Sequence, residues 1–140
     1  MILHFPLPRG HFAGGKNVSG SSDPDSLEHL LNQAGGRRPV VTVDSTPFAI
    51  MPAHERDILA VDVTAAGGPV TLNVPDDLPT GFALTILQVN GTTGQVLVAA
   101  PGTATVTAFG GGATNLDGTD AKAELLVHAA NTAHLSGDLV

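Results

Sequence analysis

Apolar residues alternate with polar or small ones along most of the chain after residue 39. The clearest run is Leu78–Ala100, where Phe82, Leu84 and Ile86 alternate with Ala83 and Thr85, and Val96 and Val98 resume the rhythm. A period of two places successive side chains on opposite faces of a strand. Asn90-Gly91, between the two runs, tolerates positive φ and is a strong hairpin signal. The pattern predicts a β-hairpin at the centre of the body.

The same rhythm predicts strands on either side. Val40–Val43 and Phe48–Met51 are the first. In Ile58–Thr64 the more hydrophobic face, Leu59, Val61 and Val63, is the buried one. Pro69–Val74 turns Val70, Leu72 and Val74 inward. Thr103–Phe109 alternates threonines with Ala104, Val106 and Ala108 until Gly110–Gly112 breaks it. Ala121–His128 and Thr132–Leu139 complete the set. Pro75-Asp76-Asp77 and Pro79-Thr80-Gly81 are turn chemistry. Closely spaced turn signals predict an all-β fold: a single antiparallel β-sandwich, jelly-roll-like, or a barrel.

The first 36 residues read differently. Pro6 and Pro8 forbid a helix, and Gly14-Gly15 and Ser19–Ser22 read as flexible chain, so residues 1–22 are an extended N-terminal arm. Yet Ile2, Leu3, Phe5, Leu7 and Phe12 are large and apolar, and something must cover them. Either the arm folds back on its own domain or it lies across a neighbouring subunit or partner. Arg9 and Lys16, with no acid before Asp23, suit an acidic neighbour. One short helix follows over 23–34. Asp23 is its N-cap and Pro24 its first residue, and Leu27, Leu30, Leu31 and Ala34 form one apolar stripe. So short a helix must dock on its own β domain or on symmetry mates. Gly35-Gly36 is the predicted hinge. It divides the chain into an arm with a helix, 1–36, and a β domain, 37–140.

Charge sharpens this division. The chain carries 6 basic and 13 acidic residues, a net charge of −7. Arg9, Lys16, Arg37, Arg38 and Arg56 balance the acids up to residue 56, and beyond it Lys122 alone faces the rest. An acidic body argues against a nucleic-acid partner, which needs clustered Lys and Arg. No segment is long and apolar enough to span a bilayer as a helix. The N-terminus lacks the basic start of a secretory signal, so synthesis and folding in a cytoplasm are expected. There is no Cys, Tyr or Trp, which removes disulfides, thiolate metal sites and the usual sugar-stacking rings.

Candidate chemistry is sparse. Six histidines (His4, His11, His29, His54, His128 and His134) form no helical metal pair, although a hairpin could bring His128 and His134 together. His54-Glu55-Arg56-Asp57 is the most polar cluster of the body, but no nucleophile or oxyanion donor accompanies it, and it reads as a loop. Asn115–Asp120 resembles part of a calcium loop, yet its glycine is misplaced for the EF-hand template and a β-turn is the better reading. Gly110–Gly112 lacks the lysine of a phosphate loop, and no GxSxG elbow is present. No catalytic residue, cofactor or metal is expected, and the chain reads as no enzyme.

From Gly81 onward the pattern resembles small β-rich virion proteins of tailed bacteriophages. The residues that carry it are Gly81–Gln88, the Asn90-Gly91 turn, Val96–Val98, the Thr- and Ala-rich Thr103–Phe109, Ala121–Val127 and Asn131–Leu139. The last piece looks like the asparagine, aromatic, small apolar, glycine-aspartate ending of such modules, with Ala133 or His134 at the usual Trp place. The resemblance implies a non-enzymatic building block, often trimeric. It would be a capsid decoration or cement protein or a head-spike base, or else a tail or collar fibre component. Its partners would be the major capsid protein or portal and tail proteins, and it would reside in the virion. A carbohydrate- or receptor-binding β-sandwich module is the alternative from another class. The expected assembly interface is Ile2, Leu3, Phe5, Leu7, Arg9, Phe12, Lys16, Leu27, Leu30 and Leu31.

Overall fold

The computed structural model describes residues 37–140. The arm, the helix over 23–34 and the hinge lie outside the described residues. A compact unit runs Pro39–Val140.

Among the described residues nine strands form, each within a stretch whose alternation predicts one. They are β1 (Val40–Val43), β2 (Phe48–Ala49), β3 (Ile58–Val61), β4 (Val70–Asn73), β5 (Ala83–Gln88), β6 (Val96–Ala99), β7 (Thr105–Ala108), β8 (Lys122–Ala129) and β9 (Thr132–Gly137). The anticipated inward residues are buried: Leu59, Val61 and Val63; Val70, Leu72 and Val74; Phe82, Leu84 and Ile86; Val96 and Val98. Several strands are shorter than predicted: β2 stops at Ala49 and not Met51, β7 covers Thr105–Ala108 and not Thr103–Phe109, and β9 stops at Gly137 and not Leu139. The strand expected over Ile58–Thr64 ends at Val61, and a single-turn helix α1 (Val63–Ala66) follows. Asp62 causes the change: its carboxylate accepts the Ala65 N–H at 2.9 Å and caps the turn.

The strands fall into two sheets. One has six strands in the order β1-β3-β5-β8-β9-β7, and the other has three in the order β2-β4-β6. From β1 to β6 the chain alternates between them. Each strand therefore pairs parallel with the strand two places on, as in Val40↔Ile58, Ile58↔Thr85 and Val70↔Val96. β8 then runs antiparallel to β5 and forms a hairpin with β9, while β7 pairs parallel with β9.

This corrects two expectations. The purely antiparallel arrangement gives way to a mixed sheet and a wholly parallel one. The central hairpin over Leu78–Ala100 does not form, because β5 and β6 belong to different sheets. Both edges of β5 are already taken, by β3 and by β8, so β6 has no edge of it to pair with. A tight hairpin does form at the β8–β9 connection, where Asn131 takes positive φ.

One hydrophobic cluster joins the inward residues of both sheets. It includes Leu84, Ile86, Leu125 and Leu135 from the larger and Leu72, Val96 and Val98 from the smaller. Each such side chain contributes about 1.5–3 kcal/mol by leaving water.

Candidate functional site

The turn after β4 sets the position of a distant strand. The Asp76 carboxylate accepts the backbone N–H of Thr103 at 3.0 Å and of Ala104 at 2.8 Å. These bonds, Ala104's first and then Thr103's, hold the carboxyl below its ordinary range. They anchor the chain just before β7. β7 is an edge strand, and among the described residues nothing pairs with its outer side.

Directly after β7 comes a 3-10 turn, Phe109–Gly111. Among the described residues no element packs over it, and Phe109 is 91% exposed. The ring borders a shallow, largely apolar depression formed by Ala108, Leu135, Leu139 and Val140. A second depression adjoins it and shares Gly137 and Leu139. Its rim carries Asp117, Asp120 and Asp138. Gly137 and Leu139 thus border an apolar depression and an acidic one.

The acidic side is held by loop-to-loop bonds. Thr119 donates its hydroxyl to the Gly91 carbonyl at 2.7 Å, and Thr93 donates to the Asp117 carbonyl at 2.9 Å. Asn115 donates to the Gly94 carbonyl at 3.0 Å. Asp138 accepts the Lys122 N–H at 3.1 Å. Asn115–Asp120 is therefore a loop bound to the β5–β6 connection. Among the described residues no group of three His, Asp or Glu side chains is placed to hold a metal ion.

The other sequence candidates lie apart from this surface. His54 closes the 3-10 turn Pro52–His54, accepts the Met51 N–H on Nδ1 at 3.0 Å and stacks on Phe48 at 5.3 Å between ring centres. That nitrogen is occupied by the turn it stabilises. Asp57 is buried, and Arg56 donates its backbone N–H to the Ala83 carbonyl at 2.7 Å. His134 stands opposite Leu126 in the β8–β9 ladder, and His128 sits at the irregularity near the end of β8. The ten interface residues expected between Ile2 and Leu31 lie outside the described residues.

Sequence reading missed two features. The alternation carries a strand through Phe109, yet the three glycines after it signal that nothing local covers the ring. Gln88 was assigned no role, but it is wholly buried. Its Nε2 donates to the carbonyls of Asn90 at 3.1 Å and Thr92 at 3.0 Å, which fixes the crossing from β5 to β6.

Compared with known proteins, the chain matches no family model, no curated protein and no solved structure.

Proposed function

We propose that this chain is a non-enzymatic structural protein of a tailed-bacteriophage virion. It decorates or cements the capsid, or forms the base of a head spike. It attaches through residues 1–36 to the major capsid protein or to portal and tail proteins. It acts as a homo-oligomer, a trimer in the favoured reading, and is assembled in the host cytoplasm. The two sheets share one hydrophobic cluster, and we read them as the layers of a sandwich.

The observation that carries this reading is the bare Phe109 ring beside its apolar depression. Phe109 and Val140, both exposed, line one depression with Leu139, and a contiguous apolar surface, unlike a lone exposed ring, marks a contact site for another polypeptide. The strand-and-turn pattern from Gly81 onward, with its resemblance to phage virion modules, supports the setting. Repetition on a symmetric particle would multiply contacts that are weak in a single copy.

The test is the composition of the particle. Gradient-purified virions of the phage that encodes the chain are expected to carry it in a fixed number of copies. Leu27→Glu/Leu31→Glu in the full chain is expected to leave it in the soluble fraction. Purified particles free of the chain would overturn the proposal.

A further inference from the structure

We infer that the Phe109 surface receives residues 1–22 of a second copy of this chain. The inference rests on the assembly reading above and adds to it the place where copies meet.

Three observations lead there. The first is chemical. The surface combines an apolar part, around Phe109 and Leu139, with an acidic part bearing Asp117, Asp120 and Asp138. Its complement is a segment with large apolar side chains and interspersed cations. The second is charge. Residues 1–22 offer Leu3, Phe5, Leu7 and Phe12 together with Arg9 and Lys16, and contain no acid. The other acid-free stretch with two cations, residues 29–43, runs into β1, whose Val40–Val43 are already paired with β3. The third decides between occupants drawn from a second copy. Were two bodies to meet through this same surface, their aspartates would face each other, and like charges brought together cost several kcal/mol. A basic, apolar segment meets the same surface with attraction on one side and burial on the other.

The geometry favours an extended segment. The two depressions adjoin and are both shallow, so a chain lying across Gly137 and Leu139 reaches both. Phe109, on its short turn at the rim, is placed to close over apolar side chains laid beside it. Each copy then gives one segment and receives one. Such a head-to-tail exchange forms a ring where the rotation between copies closes, as the trimer of the proposed function requires, and an open filament where it does not. Within residues 1–36, residues 1–22 then join the copies, and the predicted stripe of Leu27, Leu30 and Leu31 makes the attachment to the particle.

The experiment uses full-length chains and measures mass by light scattering across a concentration series. Wild type is expected to form a closed oligomer that weakens with added salt. Arg9→Glu/Lys16→Glu reverses the segment, and Asp117→Lys/Asp120→Lys reverses the rim, where two lysines then outweigh Asp138. Each alone is expected to raise the dissociation constant about tenfold or more. Phe109→Ser is expected to weaken association similarly. Mixing the two charge variants restores association between unlike copies, since the acidic segment of one meets the basic surface of the other; a ring of even number regains every contact and a trimer two of its three. That rescue also shows that both variants are folded. A monomeric wild type would sink the assembly reading together with this inference. An oligomeric wild type that neither charge set disturbs, or a mixture that stays dissociated, would overturn the inference alone.

Discussion

Asn90 and Asp62 lie 28 residues apart and bind each other at 2.8 Å, the Asn90 amide donating to the Asp62 carboxylate. The same carboxylate accepts the Ala65 N–H, while the Asn90 carbonyl oxygen accepts the Thr64 N–H at 2.9 Å. The ring ties α1 to the start of the β5–β6 connection. It also gives Asn90 a task unlike that of a hairpin turn.

That ring should make stability acid-sensitive. The backbone bond from Ala65, and then the Asn90 amide, lower the pKa of Asp62 from its ordinary 3.8, and Asp76 is lowered likewise. A depressed folded-state pKa adds stability that is complete above the unfolded value and lost as pH falls through the folded one. The urea midpoint should therefore hold from neutral pH to about pH 4 and then decline. Asp62→Asn/Asp76→Asn should be less stable at neutral pH and decline less steeply. Parallel slopes for variant and wild type would refute this. In Asn90→Ala the Asp62 resonance should titrate closer to 3.8.

Gln88→Leu keeps the volume of the buried side chain but removes the donors to the Asn90 and Thr92 carbonyls. The expected loss is about 1–3 kcal/mol by urea unfolding, with faster amide exchange over residues 89–95. Unchanged stability and exchange would mean that Gln88 does not hold the crossing.

Gly137 has φ 136, and a Cβ there would overlap the Lys122 carbonyl and approach the Ala123 Cα to 2.7 Å. Gly137→Ala should cost more than the roughly 1–3 kcal/mol of backbone strain alone. Gly94→Ala is the control. Its φ is 81 but nothing lies within 4 Å of the added carbon, so it should show only the strain. Equal losses in thermal unfolding would place β9 farther from β8 than described.

Leu125 and Leu126 test the facing of β8. Leu125 is fully buried and Leu126 is 44% exposed. Leu125→Ala should destabilise by about 2–5 kcal/mol. Leu126→Ala should stay within about 0.5 kcal/mol. A reversed ranking would mean that the strand is turned over.

How far these features were legible differs from residue to residue. The inward facing of Leu84, Leu72 and Leu125 follows from alternation with immediate neighbours, and the structure buries all three. The end of β3 needed the side chain of Asp62 to be seen capturing Ala65. The exposure of Phe109 is not legible in the alternation, which reports only the side of a strand that a residue takes, and the ring lies just beyond the strand's end. The acidic rim joins Asp117 and Asp120 to Asp138, a meeting visible only once the end of β9 lies beside their loop.

The sequence by itself determined the strands, their facing, and the contrast between a basic, apolar beginning and an acidic body, because each depends on side chains close together in the chain. Only the tertiary structure decided that β6 leaves the sheet of β5, that most neighbours run parallel, and that Phe109 stands bare beside an acidic rim. Pairing is a competition among all strands for a limited number of edges. β3 and β8 hold both edges of β5, and no local signal records that outcome.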